Sequence, residues 1–159
     1  MTHAVLPIMR RQRSGRIVDL SSILGLIPAP FSAHCSVAKH AVEGYLESLD
    51  HEVRGFGIRV VLVEPGMTRS AFDRNSGRAD GSIEDYDAGR ASVLGWFSDG
   101  MKVADATGDV AKAILIAAET KKPKPRYQTG KGMSRTAILR CLVPAAAFGT
   151  SLRRQMRLT

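Results

Sequence analysis

The sequence predicts one α/β domain built on a parallel sheet. Two β-branched and aliphatic runs, residues 15–22 and 58–64, are separated by a single long amphipathic pattern. Two strands joined by one helix are typical of a parallel crossover. The chain has 159 residues, of which 44% are hydrophobic and 24% are charged. This is the balance of a globular protein that can bury one core, so we expect a single domain over residues 1–159.

The first half of the chain gives the clearest pattern. After the strand at 15–22, the run 23–30 is apolar but broken by glycine and two prolines, which predicts a loop. A helix is expected to begin near Ser32, a favourable N-cap residue, and to end at the glycines 55 and 57. Its apolar stripe includes Val37 and Tyr45, and we expect these to face the core. The charged side chains Glu43, Glu47, Asp50 and Arg54 are expected on the solvent side.

The second half is less regular. The second strand ends at Pro65, and residues 67–103 are polar, rich in glycine and aspartate, and weakly periodic. We expect a long insertion there, with a helix around Tyr86 to Phe97. Long connections of this kind in compact domains are usually functional or mobile. A further helix, capped by Thr107 or Asp105, precedes a third short strand at 126–129. The tail, residues 133–158, is expected to form two helices broken at Pro144.

Composition narrows the class of protein. Two cysteines, Cys35 and Cys141, form neither a disulfide framework nor a metal-binding pattern, which favours a cytoplasmic protein without a metal. The longest uncharged run, 20–38, contains prolines and serines, and we expect no membrane contact. The net charge is +8, but no nucleic-acid-binding motif accompanies it. We therefore expect a solvated basic surface and no nucleic-acid partner.

The junction between the first strand and the long helix carries the chemistry. Ser22 ends the strand, at the edge where open parallel sheets bind their ligands. Lys39 lies in the first turns of the helix, and Cys35 lies four residues earlier on the same face. A hydroxyl, a lysine and a proton donor between them are the groups that a carbonyl-reduction site needs.

Three segments in this order resemble the short-chain dehydrogenase/reductase family: residues 15–25 (GRIVDLSSILG), 36–45 (SVAKHAVEGY) and 63–68 (VEPGMT). The resemblance implies a doubly wound Rossmann-like sheet, of which this chain holds the last three strands with their flanking helices. It also implies a homo-oligomer that uses NAD or NADP to interconvert an alcohol and a carbonyl of a small molecule, with lipid- or steroid-like substrates among those expected. Residues 67–103 then correspond to the family's substrate loop.

The resemblance also assigns roles to individual residues. Ser22 matches the catalytic serine, and Lys39 matches the catalytic lysine that also contacts the nicotinamide ribose. Pro65, Gly66 and Thr68 match the segment that passes the nicotinamide carboxamide. The residues alone allow simpler interpretations, because a strand-end serine often bonds its own loop and a helical lysine often extends along the surface.

Two departures from the family pattern limit what the chain can do alone. The position of the catalytic tyrosine is occupied by Cys35, whose thiol lacks the reach of a phenol. His34 lies roughly 100° round the helix, and Tyr45 is the nearby phenol. The sequence also contains no G-x-G-x-x-G turn, since the glycine pairs at 55–57 and 130–132 do not open a long helix after a first strand. We therefore expect that this partial chain does not bind a dinucleotide appreciably and is inactive alone.

A partial sheet has a further consequence. One edge of the first strand is expected to be bare, so the chain is expected to self-associate. This leaves an alternative function, a non-catalytic relic or interaction module that pairs through its helix or this edge. Cys35 is expected either to be more reactive than Cys141, because the helix N-terminus stabilises a thiolate, or to be a small buried hydrophobic residue.

Overall fold

A computed structural model describes residues 2–72, 81 and 83–158 of the chain. The helices and strands are, in order, α1 (Thr2–Gln12), β1 (Gly15–Leu20), α2 (Ala33–Val53), β2 (Ile58–Pro65), β3 (Thr68–Arg69), α3 (Asp87–Lys102), β4 (Asp105–Ala106), α4 (Thr107–Glu119), β5 (Arg126–Thr129), α5 (Met133–Leu142) and α6 (Ala145–Gln155). Short 3₁₀ turns cover Ile23–Gly25, Arg54–Phe56 and Glu84–Tyr86. The predicted α/β class, with helices flanking a parallel sheet, is confirmed.

The main sheet has three parallel strands in the order β1-β2-β5. Gly15 pairs with Ile58 and Leu20 with Val63, while Pro65 pairs with Thr129. A second, two-stranded parallel sheet joins β3 to β4. Because the strands of the main sheet are parallel, their carboxyl ends lie at one common edge, which positions the candidate site.

The central strand β2 is buried on both of its faces. Ile58, Val60 and Leu62 pack with α2 in one hydrophobic cluster. Val61 and Val63 point the other way and pack with α4 in a second cluster. A strand covered on both faces needs an almost continuous apolar sequence, which is why residues 58–63 do not alternate in polarity.

Strand β1 lies at an edge of this sheet. In the described part of the chain its pairing partner is β2, so its other edge carries no strand, as the sequence predicts. The side chain of Leu20 is 48% exposed at the end of this strand.

The face that α2 presents to the sheet differs from the predicted one. Val37 and Tyr45 are exposed, whereas Glu43 and Asp50 are buried at 3% and 4% exposure. The prediction was wrong because Leu46, Leu49 and Val53 already cover β2, and Tyr45 lies roughly 100° round the helix from Leu46. Arginine side chains that pair with the two acidic residues allow them to take the remaining inward positions.

The predicted helix caps are also corrected. Ser32 occupies the N-cap position of α2, but its hydroxyl makes no capping hydrogen bond and instead lies 3.5 Å from the carbonyl of Pro30. The N-cap residue of α4 is Ala106, because Asp105 is engaged in β4 and Thr107 is already helical.

The region after β2 contains the predicted helix, which is α3. Residues 73–80 and 82 of the predicted substrate loop lie outside the described residues. Val93 of α3 is buried with Ala29 and Met156, so the chain's tail packs on α3 and on the loop after β1. The two tail helices, α5 and α6, are separated at Pro144.

No helix in the described ranges combines the length and the apolarity that crossing a bilayer requires.

Candidate functional site

The carboxyl edge of the main sheet carries Ser22. The chain leaves β1 through Ser21, whose N–H donates to the carbonyl of Val63 at 2.8 Å. The hydroxyl oxygen of Ser22 then accepts the N–H of Leu24 at 3.2 Å and caps the 3₁₀ turn. This local bond uses a lone pair of the hydroxyl, and the proton of the same hydroxyl is still able to donate to a ligand.

Lys39 is held at the same edge. It lies in the second turn of α2, and its Nζ donates to the carbonyl oxygen of Leu20 at 2.9 Å. That carbonyl ends β1, two residues before Ser22. The ammonium is thus directed at the end of β1 rather than along the surface of its own helix.

The thiol of Cys35 lies in the first turn of α2 and is exposed. Cys141, on α5, is also an exposed free cysteine. The interpretation of Cys35 as a buried hydrophobic residue is therefore wrong. Since Cys35 precedes Lys39 by four residues, the two side chains lie on one face of the helix.

The segment after β2 turns across the same edge. The N–H of Gly66 donates to the carbonyl of Thr129 at 2.9 Å, and the hydroxyl of Thr68 donates to the carbonyl of Gly66 at 3.3 Å. A side chain at Gly66 would meet Met133 at 2.7 Å. Pro65, Gly66 and Thr68 therefore lie beside the end of β5, and the space next to Gly66 is filled by Met133.

A buried ionic cluster underlies this edge and was not predicted from the sequence. The guanidinium of Arg126, at the start of β5, bonds Glu43 and Glu47 of α2 and Glu64 of β2. We call these four residues the Arg126 cluster. The second carboxylate oxygen of Glu64 accepts the amide of Gln128 at 2.7 Å. A glutamate inside the apolar run of β2 was the one available sequence signal for the cluster.

The charges in the Arg126 cluster are unequal, with three carboxylates facing one guanidinium. Burial raises the pKa of Glu43, and the neighbouring charge of Glu64 raises it further, while the Ser21 hydroxyl and Arg126 act in the opposite direction. Burial disfavours the charge on Arg126, but Glu47, Glu64 and Glu43 raise its pKa above the ordinary value. The guanidinium is therefore a permanent cation that three segments of the fold share.

Comparison with known proteins decides the family. Residues 1–81, just over half of the 159, match the family model described as short chain dehydrogenase. The chain belongs to the short-chain dehydrogenase/reductase family. The resemblance of its three sequence motifs to that family is thereby confirmed.

Its relatives in this family include oxidoreductases and a lipid reductase. An uncharacterized oxidoreductase of Schizosaccharomyces pombe is 32% identical over 98% of this chain and 65% of its own length. A 3-ketodihydrosphingosine reductase of Bacteroides thetaiotaomicron is 46% identical, over 54% of this chain and 33% of its own length. The chain thus spans two thirds or less of these relatives.

Solved structures share the fold. A short-chain dehydrogenase from Streptomyces avermitilis has a TM-score of 0.71 and 28% identity, over 98% of this chain and 56% of that one. A short-chain dehydrogenase from Burkholderia cenocepacia, solved in complex with NADP, has a TM-score of 0.67 and 20% identity, over 100% of this chain and 54% of that one.

A whole nicotinamide dinucleotide does not fit the residues described here. A strand-to-helix turn with glycines at 130 and 132 precedes α5. A side chain at Gly130 would meet Met133 at 2.8 Å, and a side chain at Gly66 would meet the same methionine. Gly66 and Gly130 thus make room for the side chain of Met133. In the same described ranges, no group of three His, Cys, Asp or Glu side chains is arranged to hold a metal ion.

Proposed function

We propose that this chain forms the substrate-side portion of an oxidoreductase that interconverts an alcohol and a carbonyl group. The observation that carries the proposal is the bond from Lys39 to the carbonyl that ends β1, next to Ser22. Open parallel sheets bind ligands at this edge. In the proposed site the hydroxyl of Ser22 donates to the substrate oxygen, and Lys39 supplies positive charge beside it.

NAD or NADP is the cofactor that family membership favours, and the Burkholderia cenocepacia relative was solved with NADP. The 159 residues contain no G-x-G-x-x-G turn that would bind the pyrophosphate. We therefore propose that polypeptide outside these residues binds the dinucleotide. By resemblance, Pro65, Gly66 and Thr68 contribute only to the nicotinamide end, and the 159 residues alone are inactive.

Cys35 is the second reason to expect inactivity. Proton transfer requires heavy atoms roughly 2.6–3.2 Å apart. A thiol in the first turn of α2 ends several bonds short of the point that a phenol oxygen reaches from the same position. Reduction by this chain would therefore lack its proton donor even where a dinucleotide is supplied.

A lipid-like carbonyl compound is the substrate class that we propose. The 46% identity over 88 residues to a 3-ketodihydrosphingosine reductase supports it. An exposed aromatic pair adds a feature of this chain itself. The ring of Phe31, just before α2, meets the ring of Tyr86, just before α3, edge to face with 6.5 Å between the ring centroids, and both side chains are about half exposed. Such a pair offers apolar surface to an acyl chain.

A second candidate function is an interaction module, and the free edge of β1 favours it. An unpaired strand edge is a template for another strand, so we propose that the purified chain self-associates. Sedimentation velocity measures this directly. A stable monomer at about 100 µM would argue against an interaction role for the edge.

The enzymatic proposal is tested by supplying a cofactor-binding portion and a tyrosine at position 35. The portion of the Streptomyces avermitilis dehydrogenase that this chain does not cover is joined to it, with and without the substitution Cys35→Tyr. We expect ketone-dependent oxidation of NADPH by the Cys35→Tyr chimera, at least about 100-fold faster than by the Cys35 chimera, because that is the usual contribution of a general acid. Lys39→Ala should abolish it. Turnover by the 159 residues alone, or an unchanged rate with Lys39→Ala, would refute the proposal.

A further inference from the structure

The Arg126 cluster joins α2, which carries Cys35 and Lys39, to the end of β2, which carries Pro65. Glu43 lies one helical turn after Lys39 on α2, and Glu64 immediately precedes Pro65 on β2. One guanidinium therefore connects α2 to the end of β2 and the start of β5.

The cluster is buried deeply enough for this connection to matter. Glu43 is 3% exposed and Glu64 is fully buried at 0%. Both bond the same Nη1 of Arg126, while Nε of Arg126 donates to Glu47 at 3.0 Å. Without the guanidinium, two buried carboxylates would face each other with no counter-ion, and that arrangement is strongly unfavourable.

The surroundings leave Glu43 little freedom of position. A side chain at Gly25 would meet Cγ of Glu43 at 2.6 Å, so the 3₁₀ turn after β1 lies directly against the glutamate. The amide of Gln128 holds the far oxygen of Glu64. The position of α2 over the end of β1 is thus set at the turn that contains Glu43, one turn from Lys39.

We propose that Arg126 is a positioning residue: its bonds to Glu43 and Glu64 hold α2 at the depth and rotation that keep Lys39 on the carbonyl of Leu20. When the guanidinium is absent, repulsion between the carboxylates moves this part of α2 away from β2, and the ammonium of Lys39 leaves the end of β1. Calling Lys39 a site residue rests on the proposed function. The positioning itself does not.

The acylation rate of Lys39 tests this in the 159-residue chain. A brief pulse of acetic anhydride is followed by peptide mass analysis, and the rate at Lys39 is divided by the rate at Lys112. Lys112 is an exposed lysine on α4, paired with Asp109 at 3.3 Å and remote from the cluster. Arg126→Gln is expected to raise this ratio about three- to tenfold, because loss of the hydrogen bond that Lys39 donates to the carbonyl of Leu20 frees the side chain to react.

A matched variant separates positioning from general loosening. Arg59 bonds Asp50 at 3.1 Å and supports the other end of α2, so Arg59→Gln also removes an arginine that anchors this helix. It should leave the Lys39 ratio unchanged. An equal rise in Arg59→Gln, or an unchanged ratio in Arg126→Gln, would overturn the proposal.

Arg126→Lys covers the case in which Arg126→Gln does not fold. Lysine keeps the charge but cannot bond three carboxylates in fixed directions, so we expect an intermediate rise in the ratio. A wild-type ratio in Arg126→Lys would show that charge alone suffices and would overturn the positioning role. None of these rates depends on nucleotide or turnover, so they test Arg126 independently of the proposed function.

Discussion

Replacing Asp50 by alanine removes the carboxylate that attaches the C-terminal part of α2 to β2. Asp50 is 4% exposed, and one of its oxygens accepts the N–H of Val60 at 2.8 Å and the Nε of Arg59 at 3.1 Å. The other oxygen bonds Arg54. We expect this substitution to be among the more destabilising single changes in the fold.

The expected loss follows from these three contacts. Leaving the buried N–H of Val60 without an acceptor costs about 1–3 kcal/mol. The pairs with the half-exposed Arg54 and the quarter-exposed Arg59 add about 0.5 kcal/mol each, since solvent screens them. We therefore expect Asp50→Ala to lower the free energy of unfolding by about 2–4 kcal/mol and the melting temperature by about 6–12 °C for a chain of this size. Asp50→Asn should lose about half as much, because an amide oxygen still accepts from Val60.

The pH dependence provides a second signature. Burial alone raises the pKa of Asp50, but the hydrogen bonds from Arg54, Val60 and Arg59 outweigh it and lower the pKa below its ordinary value of 3.8. A group whose pKa is lowered in the folded state stabilises the protein at pH values above its ordinary pKa. This contribution disappears as the pH falls below that pKa. The difference in the free energy of unfolding between wild type and Asp50→Asn should therefore become smaller at acidic pH.

Thermal denaturation followed by circular dichroism at pH 7 and at about pH 3 measures both effects. Asp99→Asn is the matched control, since Asp99 pairs with Lys102 at 2.7 Å on the exposed face of α3 and should leave the melting temperature unchanged. An unchanged melting temperature in Asp50→Ala at pH 7 would refute the account of this contact. If the difference in melting temperature between wild type and Asp50→Asn is the same at both pH values, the role given to the charge of Asp50 is refuted.

Three further predictions concern other parts of the fold. Arg16→Gln should cost about 1–3 kcal/mol in urea denaturation, because Nη1 of Arg16 donates to the carbonyls of Ala117 at 2.6 Å and Thr120 at 3.0 Å at the end of α4; no loss would contradict this. Because the pKa of Glu43 is raised, its contribution to the free energy of unfolding falls as the pH rises above the ordinary value of 4.5. Glu43→Gln should flatten this dependence in melting curves, and an unaltered slope would contradict it. Iodoacetamide should alkylate Cys35 faster than Cys141, since only Cys35 lies at a helix N-terminus; equal rates would contradict it.

The elements around the site could be predicted because their signals are local. Alternation between β-branched runs and a helical pattern identifies β1, α2 and β2 within residues 15–65. Glycine and proline mark the ends of these elements, and three motifs in order identify the family. The position of Ser22 at a strand end follows from the same local information.

The Arg126 cluster could not be predicted because its contacts are long-range. Arg126 and Glu43 are 83 residues apart, and no local pattern around Glu43 indicates Arg126 as its partner. A helical pattern therefore assigns Glu43 and Asp50 to solvent, where charged residues usually lie. The same helical pattern assigns Tyr45 to the core. The structure exposes Tyr45, because these two acidic side chains take inward positions.

A dinucleotide titration tests the central claim, that this chain carries the substrate-side groups of a short-chain dehydrogenase without the turn that binds the pyrophosphate of the cofactor. The 159-residue chain is titrated with NADPH and with NADH, and nicotinamide fluorescence and heat are recorded. The dehydrogenase of Burkholderia cenocepacia solved with NADP serves as the positive control. The account predicts no saturable binding up to about 1 mM, because the 159 residues contain no G-x-G-x-x-G turn to receive the pyrophosphate. Saturable binding with a micromolar Kd would contradict it.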